Sequence, residues 1–192
     1  MIPPSSLGFD IDGVIANTAE AFLRIAAGEY GLTGLTLEDI REFEVENCID
    51  ADPAVISEIF ERLMVDPVGE GIRPMPYAVT VLDELARAAP VTLITARPLR
   101  RPIESWLCRN LTPRTTANMR LTATGEHDGK GRFIKNLGLH FFVDDRAETC
   151  NALAMQGVTA IVYDQPWNRG RHRLSSVDSW PAIWNLCFGA GG

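Results

Sequence analysis

Asp10 and Asp12 stand two positions apart where a short apolar run, SLGFD at 6–10, gives way to Gly13. In an extended chain residues i and i+2 point to the same side, so both carboxylates project together from a strand end. Such a pair suits nucleophilic and general acid–base work or the holding of a cation. The alternative is a turn whose acidic side chains cap the backbone that follows. A second acidic pair, Asp144-Asp145, closes the run HFFV at 140–143. Carboxylates gathered in that number repel one another without a cation. Hard oxygen ligands of this kind fit Mg²⁺, which takes one or two carboxylates together with water and substrate phosphate. Asp145 has a second reading as the N-cap of a helix over 147–156. Both hold if Asp144 meets the metal and Asp145 stands behind it.

Other chemistry-bearing residues occupy the same kind of position. Thr95 closes VTLIT at 91–95 and is followed by Ala96, Arg97 and Pro98. A hydroxyl and turning backbone N–H groups there could hold a phosphoryl oxygen, or the hydroxyl could simply pair with nearby backbone. Lys130 opens a helix after the flexible stretch TGEHDG and could place a compact positive charge on a phosphate. Lys135 competes with it, although its mid-helix position reads as solvated surface. Arg97, Arg100 and Arg101 follow the VTLIT run, and Arg97 is the one favoured to touch a substrate anion; a solvated loop is the alternative. In QPWNRGRHR at 165–173, Trp167 could stack on a substrate ring or cover the site, and Arg169 could reach an anion. A loop tryptophan also serves as a packing residue. Phe22, Tyr30 and Phe43 could face a pocket, but their spacing suits a small helical core better.

The elements that must position these residues alternate in type. Runs at 6–10, 91–95, 119–123, 140–144 and 158–164 are β-branched or aromatic and bounded by Gly, Pro or Asp, which predicts buried strands. Helices fit between them. Asn17 with Glu20 reads as a capping box opening 18–30, which Gly31 stops. Asp52-Pro53 starts a second helix with the stripe Val55, Ile56, Ile59, Phe60, Leu63 and Met64. Pro76 opens 77–89, with Leu82, Leu85 and Ala89 on one face. Pro102 opens another helix with Ile103, Trp106 and Leu107 inward. Gly138 and Gly157 close helices over 130–137 and 147–156, and Trp180 with Trp184 marks a C-terminal helix. The small-residue tail 189–192 is expected to fray. Strand and helix in alternation, with nearly continuous apolar strands, imply an α/β fold with a parallel sheet covered on both faces. Residues 17–73 break the rhythm with helices and no strand, which predicts a helical insertion lying over the carboxyl end of the first strand. The expected division is therefore a core of 1–16 and 74–192 and an inserted cap of 17–73. Ligands of open parallel sheets bind beyond the carboxyl ends of the strands.

Composition sets outer limits. With 18 Lys and Arg against 25 Asp and Glu, the chain of 192 residues carries a net charge of −7, which argues against nucleic-acid polymers and anionic membranes as partners. Its four cysteines show no CxxC pairing and read as reduced thiols. The start MIPPSSLGFD lacks the basic and apolar regions of a secretory leader, and no apolar run is long enough to span a bilayer, so a cytoplasmic location is expected. Oligomeric state is not legible.

DIDGV at 10–14, the strand ending in Thr95, Lys130 and the pair Asp144-Asp145 resemble, in order and spacing, the four motifs of the haloacid dehalogenase (HAD) superfamily of phosphatases. The resemblance covers about residues 6–163. An aspartate at the position of Asp12 marks the phosphotransfer branch, because the dehalogenases lack it. GFDIDGVIANT, ITARP, FFVDDR and YDQPWNR look further like the 5′-nucleotidase group that includes the 5′(3′)-deoxyribonucleotidases. The resemblance implies a Rossmann-like HAD core with a small helical cap. It implies Asp10 as the nucleophile that forms an aspartyl-phosphate and Asp12 as acid, then base. Mg²⁺ would be held by Asp10, the Asp12 backbone carbonyl and Asp144, with Thr95, Ala96 and Lys130 on the phosphate. The substrate would be a small phosphorylated molecule, with nucleoside monophosphates first and sugar phosphates as the alternative; a non-catalytic binding role is opposed by the complete set of motif carboxylates.

Overall fold

A computed structural model describes residues 1–189; of the tail 189–192 expected to fray, Gly189 donates its N–H to Asn185 O at 2.9 Å and 190–192 lie outside the described residues. Six strands, β1 (Leu7–Phe9), β2 (Val91–Thr95), β3 (Met119–Ala123), β4 (Phe141–Asp144), β5 (Thr159–Tyr163) and β6 (Ser176–Val177), form one sheet in the order β3-β2-β1-β4-β5-β6. Every neighbouring pair is parallel. Connections run outward from β1 to β3 on one side, then cross back to β4 and run outward on the other. Strand order therefore reverses between β1 and β4, which opens a crevice beyond their carboxyl ends.

Alternation along the strands divides the core into two layers. Leu7, Phe9, Leu93, Val143, Ile161 and Tyr163 face one side, joined by residues of α3 (Ala78–Ala88), α4 (Arg100–Asn110) and α8 (Trp180–Phe188). Ile94, Phe142, Ala160 and Val162 face the other, against α6 (Lys130–Asn136) and α7 (Ala147–Met155). Gly8 belongs to this second face, where a Cβ would come within 2.7 Å of Leu139 Cδ1 and 3.0 Å of the Phe142 ring. Two tryptophans anchor the first layer with their polar edges satisfied: Trp106 Nε1 donates to Ile72 O at 2.8 Å and Trp180 Nε1 to Val14 O at 2.9 Å.

Local signals account for most helix ends. Asn17 Oδ1 accepts from Glu20 N at 3.4 Å and opens α1 (Thr18–Tyr30), with Gly31 left-handed at its end. Asp52 Oδ1 accepts from Ala54 N at 2.9 Å and Pro53 begins α2 (Pro53–Val65). Three elements differ from expectation. α4 starts at Arg100, ahead of Pro102, because a proline is tolerated anywhere in the first turn. The short α5 (Pro113–Ala117), capped by Thr112, and the edge strand β6 went unread; each is too brief to carry a period.

Between Asn17 and Arg73 the chain forms α1, α2 and two 3₁₀ turns, Leu37–Asp39 and Val45–Asn47. It leaves and returns at one place: Asn17 N donates to Arg73 O, and Met75 N to Ile15 O, at 2.8 and 2.7 Å. Phe22 stacks on Phe60 with centroids 4.9 Å apart, joining α1 to α2. Their apolar residues do not make a separate core. Ile25, Ile56, Ile59 and Leu63 are continuous with the first layer of the sheet core.

Candidate active site

Strand register brings the two acidic segments together. Phe9 pairs with Val143 in the ladder, and Asp10 N donates to Val143 O at 2.8 Å, so Asp10 leaves β1 level with Asp144 at the end of β4. Asp10, Asp144 and Asp145 are all buried, and each offers an oxygen within 4.8 Å of the others. Gly13 makes the approach possible. Its φ is 70°, and a Cβ there would collide with the Asp145 carboxylate.

Asp145 does not cap the helix that follows it. The N-cap of α7 is Arg146, whose side chain makes no capping bond. The carboxylate that meets this backbone is Asp144, whose Oδ1 accepts from Arg146 N at 2.9 Å. Asp145 Oδ2 instead accepts from Trp167 Nε1 at 3.1 Å, and Asn168 Nδ2 donates to the Asp145 carbonyl at 2.7 Å. The side chain is turned toward the site rather than back over the helix.

Lys130, at the start of α6, lies beneath the same carboxylates and is 1% exposed. Its Nζ stands 2.9 Å from Asp10 Oδ1 and 2.7 Å from Asp144 Oδ2. Only the second contact has hydrogen-bond geometry, which leaves the buried Asp10 Oδ1 without a hydrogen-bond donor. Lys135 is exposed on the far side of the helix. Burial pushes Asp10 up to about 7 against the pull of Lys130, with Asp144 and Asp12 adding to the rise. Burial and Asp144 push Asp145 up as well. Burial opposes the charge on Lys130, but Asp10 and Asp144 outweigh it and hold the ammonium above its ordinary range. Three buried carboxylates against one ammonium leave negative charge that a hard dication would balance. This donor set, with an undonated oxygen on Asp10, fits Mg²⁺.

Asp12 has different company. Arg97 Nε donates to Asp12 Oδ2 and Nη2 to Oδ1, both at 2.8 Å, and Thr18 Oγ1 donates to Oδ1 at 2.6 Å. Burial would raise this group, yet Arg97 and Thr18 outweigh it and hold Asp12 below the usual carboxylate range. The pair at 10 and 12 is thus split by its surroundings: one carboxyl resists ionisation and the other favours it. Arg97, expected to meet a substrate anion, is 3% exposed, borders the cavity and is engaged by Asp12.

Above the carboxylates lies a cavity of about 440 Å³. Asp10, Asp12, Thr95 and Ala96 lie at its wall, as do Ile40, Phe43, Phe60 and Met64 from the segment between α1 and α2 and from α2. Thr95 Oγ1 accepts from Arg97 N at 3.2 Å, the local backbone bond foreseen as the alternative, which leaves the hydroxyl proton to donate elsewhere. Trp167 is 6% exposed, borders the cavity and braces Asp145, which joins the packing and covering readings. Arg169 is turned away. It pairs with Asp164 at 3.4 Å and Glu38 at 2.7 Å on the surface. Phe43 does face the cavity, with Arg146 over its ring at 5.1 Å, while Phe22 and Tyr30 do not. Thr18, Arg146, Gln165 and Asn168 were missed. Gln165 Nε2 donates to Gly13 O at 2.8 Å, so the QPWN phrase braces both acidic segments. Two buried amides beside a tryptophan were the available signal.

Carboxylates at the β1/β4 switch point, a lysine beneath them and a helical segment above are the arrangement to compare with known proteins. A family model described as "5′ nucleotidase, deoxy (Pyrimidine), cytosolic type C protein" matches residues 4–190. The chain belongs to this family. It is accordingly a phosphatase of HAD type. A haloacid dehalogenase-like hydrolase from Streptococcus pneumoniae is similar in fold, with a TM-score of 0.63 over 94% of this chain and 96% of that one at 11% identity. A HAD-superfamily hydrolase from Ehrlichia chaffeensis aligns with a TM-score of 0.54 over 97% of each chain at 13% identity. CbbY from Rhodobacter sphaeroides, solved in complex with phosphate, aligns with a TM-score of 0.52 over 95% and 96% at 20% identity. No curated protein matches the sequence. Among the described residues no helix is long and apolar enough to cross a membrane, and all four cysteines are free thiols.

Proposed function

We propose that this nucleotidase-family phosphatase is a Mg²⁺-dependent phosphomonoesterase that hydrolyses nucleoside monophosphates through an aspartyl-phosphate on Asp10. The observation that carries the reading is what each of the two carboxylates touches. Asp10 sits in the carboxylate cluster with only the Lys130 ammonium against its Oδ1, at 2.9 Å and off hydrogen-bond geometry, whereas Asp12 is held aside by Arg97 and Thr18. A nucleophile needs the free lone pair, and an acid–base group needs a fixed direction.

Asp10, Asp144 and the Asp12 backbone carbonyl would hold the metal, with Asp145 completing the acidic set. Bound there, Mg²⁺ would neutralise the charge that keeps a carboxylate from meeting a phosphate dianion. Asp10 attacks phosphorus in line with the leaving oxygen and forms the acyl phosphate. Asp12, ionised in the free site under the pull of Arg97 and Thr18, must first take up a proton, which the negative charge of the arriving phosphate favours. It delivers that proton to the departing alkoxide, then takes one from the water that hydrolyses the acyl phosphate. Thr95, the Ala96 backbone N–H and Lys130 position and stabilise the equatorial oxygens, where phosphoryl transfer gains most of its rate. Residues 17–73 act as a cap over the core of 1–16 and 74–192. Their Ile40, Phe43, Phe60 and Met64, facing Trp167, give the leaving group an apolar and aromatic wall that suits a base better than a fully hydroxylated sugar.

Initial rates on a panel of ribo- and deoxyribonucleoside monophosphates and sugar phosphates, with Mg²⁺ and with EDTA, test the proposal. Preference for nucleotides and loss of turnover in EDTA are expected. Equal rates on sugar phosphates would remove the substrate assignment, and no turnover of any phosphomonoester would remove the enzyme mechanism.

A further inference from the structure

Arg97 does more than pair with Asp12. Its third nitrogen, Nη1, donates to Leu63 O at 2.9 Å and to Met64 O at 3.3 Å. Both carbonyls belong to the last turn of α2, where helical carbonyls lack intrahelical donors and the helix end favours a cation. The guanidinium is planar and rigid. Seating Nη1 on α2 therefore sets the direction of the Nε–Nη2 edge, and that edge sets the plane of the Asp12 carboxylate through two 2.8 Å bonds. Thr18, the first residue of α1, adds its 2.6 Å bond to Asp12 Oδ1. Asp12 is thus oriented from the helical segment above the site, while Asp10 takes no hydrogen bond from it.

We propose that Arg97 is a positioning residue, which transmits the seating of α2 over the cavity to the acid–base carboxylate of Asp12. The inference rests on the reading of Asp10 as nucleophile and Asp12 as acid–base partner. Its chemical consequence depends on the leaving group. In the first step the Asp10 oxygen–phosphorus bond forms and the phosphorus–oxygen bond to the leaving group breaks. A p-nitrophenolate leaves with its negative charge delocalised over the ring and needs no proton. A nucleoside alkoxide must receive one from Asp12 as the bond breaks. Because kcat/KM covers only the steps through phosphoryl transfer, it isolates this proton delivery from the later hydrolysis of the acyl phosphate.

The test measures kcat/KM with Mg²⁺ for uridine 5′-monophosphate and for p-nitrophenyl phosphate, in wild type, Arg97→Met and Arg97→Lys. In Arg97→Met the loss on the nucleotide should exceed the loss on the aryl ester by at least about tenfold, a part of the roughly 10²- to 10⁴-fold that acid–base catalysis supplies. Arg97→Lys keeps the charge without the fork and should lie between; it carries the test if the methionine variant does not fold. In an Asp12→Asn background, Arg97→Met should add no further preferential loss on the nucleotide. Equal losses on both substrates would reduce Arg97 to a structural support and overturn the proposal, as would undiminished nucleotide hydrolysis. A wild type inactive on both esters would instead remove the underlying catalytic reading, and the proposal with it.

Discussion

The two aspartates of the DIDG segment differ less in kind than in what surrounds them. Asp10 is crowded by buried carboxylates and relieved by one lysine, whereas Asp12 is clamped by an arginine fork. Replacing Asp10 by Asn keeps the shape and removes the proposed nucleophile, so phosphomonoester turnover should fall to the level of a no-enzyme control while the melting temperature holds or rises. Residual turnover near wild type would mean that another group attacks phosphorus. The lysines should separate as cleanly. Lys130→Ala leaves Asp10 and Asp144 without their ammonium and should abolish activity, whereas Lys135→Ala, exposed and remote, should change stability by no more than about 0.5 kcal/mol. Retained activity in the first variant and loss in the second would reverse the assignment.

Among the elements, the loop after β1 does the most positioning in the fewest residues. Ile11, Val14, Ile15 and Ala16 are wholly buried, Gly13 N donates to Ala16 O at 2.9 Å, and the glycine itself lies against Asp145. Gly13→Ala would impose a side chain on a left-handed residue and drive it into a buried carboxylate. A destabilisation of about 1–3 kcal/mol is expected from the backbone alone, together with weakened metal binding as Asp145 is displaced. Denaturant melts and Mg²⁺ titration of the variant measure both, and a melt indistinguishable from wild type would show that the loop relaxes. Across from it, the QPWN phrase holds the second acidic segment from behind. Trp167 and Asn168 act on Asp145 at its side chain and backbone, an arrangement that no spacing rule points to.

For the molecule as a whole, the acidic cluster should make stability depend on pH and, with the proposed Mg²⁺ bound there, on metal as well. Asp10 is raised from an unfolded value of 3.8 to about 7. Without metal the folded state therefore binds the extra proton between those values. The stability it contributes is full below 3.8 and is lost as pH rises through about 7. Asp145 moves in the same direction, and Asp12, which is lowered, acts only below its ordinary range. Metal-free protein should accordingly lose stability from about pH 4 to about pH 7 through this site. Mg²⁺ must displace the proton, so its affinity and its stabilising effect should grow over the same interval. Thermal melts in EDTA and in excess Mg²⁺ across this range provide the check. A metal-induced shift that does not depend on pH would place the ion elsewhere.

Much of the fold was legible because its signals are local. Asn17 with Gly31, Asp52 with Pro53, and Gly138 with Gly157 mark helix ends through bonds and dihedrals that involve only near neighbours. Apolar runs ending in Asp10, Thr95 and Asp144 likewise mark strand ends in a parallel sheet, and those ends must share one edge. By itself, then, the sequence determined the alternation of the main strands and helices, the parallel α/β class and the carboxylates that end strands at one edge of the sheet. Only the tertiary structure decided the partners of those charges. Arg97 reaches Asp12 across 85 residues and α2 across 34, and Gln165 reaches Gly13 across 152. A guanidinium buried against a carboxylate looks, in sequence, the same as one left in a solvated loop. The difference is desolvation, which depends on what the whole chain packs around each charge rather than on its neighbours.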